Sequence, residues 1–269
     1  MDSKHIEEIC CKAVGIVKEA AVFIKSELGQ VKNDQIQEKE KHSLVSYVDI
    51  ETEKKLVHQL RIILPEADYI TEENTTADLS PGELKWIIDP LDGTTNFLKG
   101  IPIFSISLAL VDGDEILIGI VHDIMQDDCY YSWLNGGAYC NGKKIQVSDV
   151  KQLEEAVIAT GFPYQRKWMD NLAQILITVL NKSRGVRRLG SAAIDLAYIA
   201  CGRFDGYYET RLNSWDMAAG ILLIREAGGR VTNFEDQPDG ILKSHHILAS
   251  NGKIHEEMAV LTKHAILGE

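Results

Sequence analysis

The chain has 269 residues, 45% hydrophobic and 25% charged, with a net charge of −12. That composition suits a soluble globular chain with a sizeable core, and the acidic balance argues against nucleic acid or an anionic membrane surface as a partner. There is no run of about 18 apolar residues, Met1-Asp2-Ser3-Lys4 is no signal peptide, and five cysteines without C-x-x-C spacing imply no disulfide framework, so a reduced, cytoplasmic setting is expected.

Residues 3–28 place Ile6, Ile9, Ala13, Ile16, Val17, Ala20 and Ile24 at a helical period, with Gly29 as the stop. Residues 30–44 are polar and aperiodic, including Lys39-Glu40-Lys41, and are expected to form a mobile surface loop. A second helix follows, with Asp49 expected at the N-cap and Glu51 and Glu53 in the first turn. Leu56, Val57, Leu60, Ile63 and Leu64 make its buried face, and Pro65 ends it. Asp68 to Thr71 is a short strand leading to Glu72-Glu73, and Asn74 to Glu83 is loop.

Trp86-Ile87-Ile88 reads as a buried strand that stops at Asp89, because Pro90 has no N–H to continue a ladder. The strand delivers two carboxylates, Asp89 and Asp92, to its tip. Gly93-Thr94-Thr95 then presents backbone N–H groups where a short helix is expected to begin, a cradle for an anion. Taken alone, Asp-Pro-Leu-Asp-Gly is equally a polar turn.

Strands are expected over Ile103–Val111, Glu115–His122 and Cys129–Leu134, with turns at Asp112-Gly113 and Asn141-Gly142. The first half is therefore two helices and a largely antiparallel sheet. The second half alternates. Strands at Ala156–Thr160, Gly185–Arg188, Phe204–Glu209 and Ile247–Ser250 are separated by helices at Lys167–Lys182, Ser191–Cys201 and Trp215–Ala227, and a last helix covers Ile254–Ala265. No internal repeat or linker interrupts the chain, which is expected to be one domain with halves 1–150 and 151–269.

The stretch Asp89-Pro90-Leu91-Asp92-Gly93-Thr94-Thr95-Asn96-Phe97, followed later by Trp215-Asp216-Met217-Ala218-Ala219-Gly220 and Glu226-Ala227-Gly228-Gly229, resembles the two signatures of the inositol monophosphatase family. The resemblance implies an α/β (α+β) fold, a layered αβαβα sandwich of the sugar-phosphatase type. It implies Mg²⁺, two or three ions per site, held by Glu72, Asp89, the Leu91 carbonyl, Asp92 and Asp216, with Glu73 reaching an outer ion. Oxygen-only ligands fit that cation, and bound metal would offset the acidic balance before an anionic substrate arrives. Each carboxylate alone also has a plain reading: Glu72 as a solvated loop residue, Asp216 as a helix cap.

The resemblance further implies that Thr94, with Glu72 and Asp49, positions the attacking water. Asp92, Gly93, Thr94, Thr95, Gly190, Ser191, Ala192, Glu209 and Asp216 then hold the substrate. Gly190-Ser191-Ala192-Ala193 matches the family's G-[ST]-A-A, and Glu209 matches the glutamate that hydrogen-bonds ring hydroxyls; its plain reading is a surface carboxylate at a strand end.

The implied reaction is Mg²⁺-dependent, lithium-sensitive hydrolysis of a small phosphate monoester, foremost myo-inositol monophosphate, by metal-activated water in line and without a phosphoenzyme. No C-x-x-x-x-x-R or D-x-D-x-T motif supports a covalent scheme. The alternatives are a fructose-1,6-bisphosphatase or 3′(2′),5′-bisphosphate nucleotidase on the same scaffold, or a regulatory protein partner of the transcription machinery. Nucleotide phosphatases of the group usually carry D-G-T-K-E-F where this chain has Asp92-Gly93-Thr94-Thr95-Asn96-Phe97. Arg211 departs from many relatives and either adds a phosphate contact or faces solvent. The Lys39–Lys41 segment does not match the family's spacing. A homodimer is expected by resemblance.

Overall fold

A computed structural model describes residues 1–40, 43–76, 83–163 and 169–266, without the side chains of residues 33, 39, 40, 43 and 264–266. The first helix, α1 (Ser3–Glu27), buries Ile6, Ile9, Cys10, Ala13, Val17, Ala20 and Ile24, and Gly29 sits just beyond its end at φ 76°. Glycine takes that left-handed conformation without the steric penalty of a Cβ.

The segment 30–44 is not an aperiodic loop. A 3₁₀ turn at Asn33–Gln35 leads into a hairpin of β1 (Ile36–Glu40) and β2 (Ser43–Ser46), with Gln37 opposite Val45. Charged residues conceal the period-two pattern there. The side chains of Lys39 and Glu40, and all of Lys41, lie outside the described residues.

The second helix, α2 (Tyr47–Ile63), starts three residues before the expected position. Its N-cap is Ser46, so Asp49 stands at the third helical position and closes a capping box. Glu51 and Glu53 consequently fall outside the first turn. Glu53 is fully buried and accepts the backbone N–H groups of Glu73 and Thr75 at 2.7 and 2.8 Å. It braces the segment just after Glu72.

The larger sheet has seven strands in the order β3 (Asp68–Thr71), β4 (Leu84–Asp92), β5 (Ser105–Asp112), β6 (Glu115–Asp123), β7 (Asp128–Trp133), β8 (Gly137–Cys140), β9 (Lys143–Lys144). Only the β3–β4 pair is parallel. Pro90 does not end β4. Pairing with β5 continues from Asp89 opposite Ser107 to Asp92 opposite Ser105, across a register shift. The bulge takes the missing N–H of Pro90 out of the ladder and re-aims the strand tip. A short helix, α3 (Thr94–Lys99), follows.

The second sheet runs β11 (Gly185–Arg187), β10 (Val157–Thr160), β12 (Gly206–Thr210), β14 (His246–Ser250), β13 (Arg230–Thr232). Both neighbours of β10 are parallel to it, and β14 is antiparallel to both of its own neighbours. The strand β13 and the short helix α7 (Ile241–Ser244) have too few residues to show a period.

Helices α5 (Ala192–Ala200) and α6 (Ser214–Glu226) lie between the two sheets, touching β5 and β6 on one side and β14 on the other. Helices α1 and α2 cover the outer face of the large sheet. Helices α4 (Met169–Lys182) and α8 (His255–Ile266) cover the outer face of the small one. The result is a five-layer αβαβα sandwich with apolar clusters between successive layers. The middle helices pack tightly: a Cβ on Gly220 would lie 2.4 Å from the Leu196 Cβ. Among the described residues no helix is long and apolar enough to cross a membrane.

Candidate active site

The bulged tip of β4 brings its acidic residues to the mouth of a cleft of about 1050 Å³. Glu72, Asp89, Leu91 and Asp92 line it from the first half, together with Gly93, Thr94 and Thr95 at the start of α3. From the second half come Gly190, Ser191 and Ala192 around the start of α5, Glu209 from β12 and Asp216 from α6. Of the residues singled out in sequence for catalysis, only Asp49 is off the wall, and it touches Thr94 directly.

Asp89, Asp92 and Asp216 each offer an oxygen, and the three oxygens lie within 4.8 Å of one another. Burial, followed by the charges of Glu72, Asp92 and Asp216, holds the Asp89 carboxyl well above the usual carboxylate range. Burial, then Asp92, does the same to Asp216. Burial pushes Asp92 up to about 6, against hydrogen bonds from Ser191 and Ala193. Carboxyls crowded this way disfavour their own ionisation, and a cation among them reverses that balance. A hard, oxygen-loving divalent ion fits the donor set.

Each carboxyl is fixed by its neighbours. Asp89 Oδ1 accepts the Leu91 N–H at 2.9 Å, and Glu72 hydrogen-bonds to Asp89. Asp92 Oδ2 accepts from the Ser191 hydroxyl at 2.6 Å and the Ala193 N–H at 2.8 Å, both in the second half of the chain. Asp216 lies at the third position of α6 and accepts the Asn213 N–H at 2.6 Å. Its helix-capping role and its place in the acidic cluster therefore coexist.

Asp49 is 1% exposed and accepts from the Ser46 N–H, the Ser46 hydroxyl and the Thr94 hydroxyl, the last at 2.8 Å. Burial raises its pKa in spite of these donors. The Thr94 hydroxyl is also 3.0 Å from the Leu91 carbonyl. Helix α3 begins at Gly93, whose φ of 97° brings its backbone against the Ile103 and Gly190 carbonyls. A Cβ there would lie 3.0 and 3.2 Å from them. The first bond of this helix runs from the Phe97 N–H to the Gly93 carbonyl, so the Thr94 and Thr95 N–H groups precede it.

Two anchoring roles escape sequence reading. The Asn96 amide donates to the Ile103 and Leu189 carbonyls at 2.8 and 2.9 Å, tying α3 to the second half. Gly161 leaves room for Glu209: a Cβ there would lie 2.0 Å from its carboxylate. Glu209 is only 9% exposed, so it is no surface carboxylate; it accepts from the Tyr207 hydroxyl, and burial pushes it up to about 7 against Tyr207 and Arg188. Arg211 lies on the rim of the cleft, exposed, at φ 64°.

The fold and cleft are those of a hydrolase for small phosphate esters, and comparison with known proteins agrees. The sequence matches the inositol monophosphatase family over residues 5–266. It is 38% identical over 241 residues to an inositol-1-monophosphatase of Mesorhizobium japonicum, covering 89% of this chain and 90% of that one. It is also 38% identical to the Nus factor SuhB of Vibrio cholerae, over 89% of this chain and 90% of that protein. The extragenic suppressor protein suhB of Bartonella henselae has the same fold, with a TM-score of 0.89 at 36% identity, covering 93% of this chain and 96% of the other. The chain belongs to the inositol monophosphatase family and is a phosphatase that hydrolyses phosphate monoesters.

Proposed function

We propose that this phosphatase acts on the monophosphate of a small polyol, foremost myo-inositol monophosphate, with Mg²⁺ as its cofactor. The observation that carries the reading is one cleft joining a three-carboxylate cluster within 4.8 Å to the buried Glu209. Glu72, Asp89, the Leu91 carbonyl, Asp92 and Asp216 would hold two or three ions, with Glu73 beside them. Bound there, Mg²⁺ acidifies a water and offsets charge on the leaving oxygen.

The protein's own part is positioning. The Thr94 hydroxyl donates its hydrogen bond to Asp49, which leaves the oxygen's lone pairs to accept from an attacking water. The Thr94 and Thr95 N–H groups face the phosphate oxygens, and Gly93 lets the backbone approach. Gly190, Ser191 and Ala192 border the leaving group, and Glu209 accepts a hydrogen bond from one of its hydroxyls. Water replaces the alcohol on phosphorus, the products being free polyol and inorganic phosphate, with no phosphoenzyme. The two halves of the chain act as one domain because Asp92 is held by Ser191 and Ala193. By family resemblance the protein is a cytoplasmic homodimer inhibited by Li⁺.

The name of the Vibrio cholerae relative favours a second reading, a regulatory contact with the transcription machinery. A phosphate-release panel with inositol monophosphates, fructose 1,6-bisphosphate and adenosine 3′,5′-bisphosphate, with Mg²⁺ and with excess chelator, tests both. The expected result is release from inositol monophosphate that chelation abolishes. Silence on the whole panel with Mg²⁺ present would leave the regulatory reading standing.

A further inference from the structure

The first turn of α5 lines the cleft together with Asp92 and Glu209, and it carries Asp195. Asp195 lines the cleft, is 2% exposed, and has an Oδ1 without any hydrogen-bond partner. An acid near a helix start commonly serves as a cap, but capping is already done here. The Ala193 N–H goes to Asp92, the Ile194 N–H to the Ser191 hydroxyl at 3.3 Å, and the Asp195 N–H to the Ser191 carbonyl at 3.1 Å. The carboxyl therefore serves no donor of its own helix. A buried polar group without a partner is costly, and a water, an ion or a ligand hydroxyl can complete it.

The charged groups facing Asp195 are Glu209, Asp92 and Arg188. Glu209 stands on β12 and already takes the Tyr207 hydroxyl. We infer that Asp195 is a second hydroxyl-binding carboxyl of the cleft, paired with Glu209 to grip two different hydroxyls of a polyol leaving group. This rests on the polyol-phosphate reading above and narrows it. Two carboxyls on one volume offer partners to hydroxyls, so the alcohol part is polyhydroxylated. Burial, with Glu209 and Asp92 adding to it, holds the Asp195 carboxyl well above the usual carboxylate range. In its protonated form it can donate to one hydroxyl and accept from another.

The test compares Asp195→Ala with the wild-type protein in Mg²⁺. The substrates are inositol monophosphate, its singly deoxygenated analogues, and p-nitrophenyl phosphate, which has no polyol. The expected loss in kcat/KM on inositol monophosphate is about tenfold, the scale of one hydrogen bond, with p-nitrophenyl phosphate within about twofold. One deoxy analogue, different from the one that Glu209→Gln ceases to discriminate, should lose its disadvantage in the variant. Asp195→Leu, which fills the volume, reads the same ratio if the alanine variant melts early. Equal losses on both esters would mean that Asp195 supports the fold, and the inference falls alone. A wild-type protein that hydrolyses p-nitrophenyl phosphate but no polyol phosphate would overturn the polyol reading and the Asp195 contact with it.

Discussion

Thr94 has one hydroxyl proton and two acceptors within reach, Asp49 Oδ1 at 2.8 Å and the Leu91 carbonyl at 3.0 Å. Removing the hydroxyl leaves every carboxylate of the cluster and every backbone donor in place. A misplaced nucleophile costs rate rather than ground-state affinity. Thr94→Ala should therefore lower kcat by about two orders of magnitude with KM little changed. Near-normal kcat with a lowered melting temperature would reduce Thr94 to a partner of buried Asp49. Glu209 allows a second residue-level prediction. Its folded pKa, about 7, is raised from an ordinary value of 4.5. The folded protein therefore keeps a proton that the unfolded chain has lost, and stability falls as pH rises from 4.5 towards 7. Gln cannot ionise, so the melting temperature of Glu209→Gln relative to wild type should climb across that window and level off above it. His122 and His255, both pushed down to about 4 by burial, slope the other way but are common to both proteins and cancel in the difference. A flat difference profile would show that Glu209 is ionised throughout.

At the scale of elements, long periodic segments were legible and locally compensated ones were not. Helix α1 shows its buried face in spacing alone, and so does α4, with Leu172, Ile175 and Val179 inside. The β1–β2 hairpin is hidden because it forms a separate two-stranded sheet rich in charge. The continuation of β4 past Pro90 depends on a bulge, which has no signature in one strand's composition. The acidic cluster of Asp89, Asp92 and Asp216 was readable as two motifs. Its anchors were not, because Ser191 and Ala193 reach Asp92 only once the halves are folded together. The middle layer adds a prediction of its own. Gly220→Ala would gain about 1 kcal/mol of helix propensity. The new Cβ, however, would meet the Leu196 Cβ at 2.4 Å, an atom anchored to the backbone of α5. Overpacking should win, with a net loss of about 1–3 kcal/mol and a melting temperature several degrees lower. An unchanged or raised melting temperature would mean that α5 and α6 can separate without loss.

For the whole molecule, a net charge of −12 and a cleft that concentrates acidic groups pose one electrostatic problem. The fold confines it to a point where both halves meet, between Asp89 and Asp92 of β4 and Asp216 of α6. Metal binding and folding are thereby linked: a ligand of the native state alone stabilises by an amount set by its concentration over its dissociation constant, about 2.7 kcal/mol at a hundredfold excess. Mg²⁺ should raise the melting temperature of chelator-treated protein. Carboxylates must lose their protons to serve as ligands. With Asp92 raised to about 6 and its two neighbours raised as well, the shift should be small near pH 5 and grow as pH rises to 8. The same titration with Asp89→Asn should show little shift at either pH, while the variant's own melting temperature in chelator rises as one repulsive carboxyl is lost. A Mg²⁺-induced shift equal at both pH values and retained in Asp89→Asn would place the ion somewhere other than this cluster.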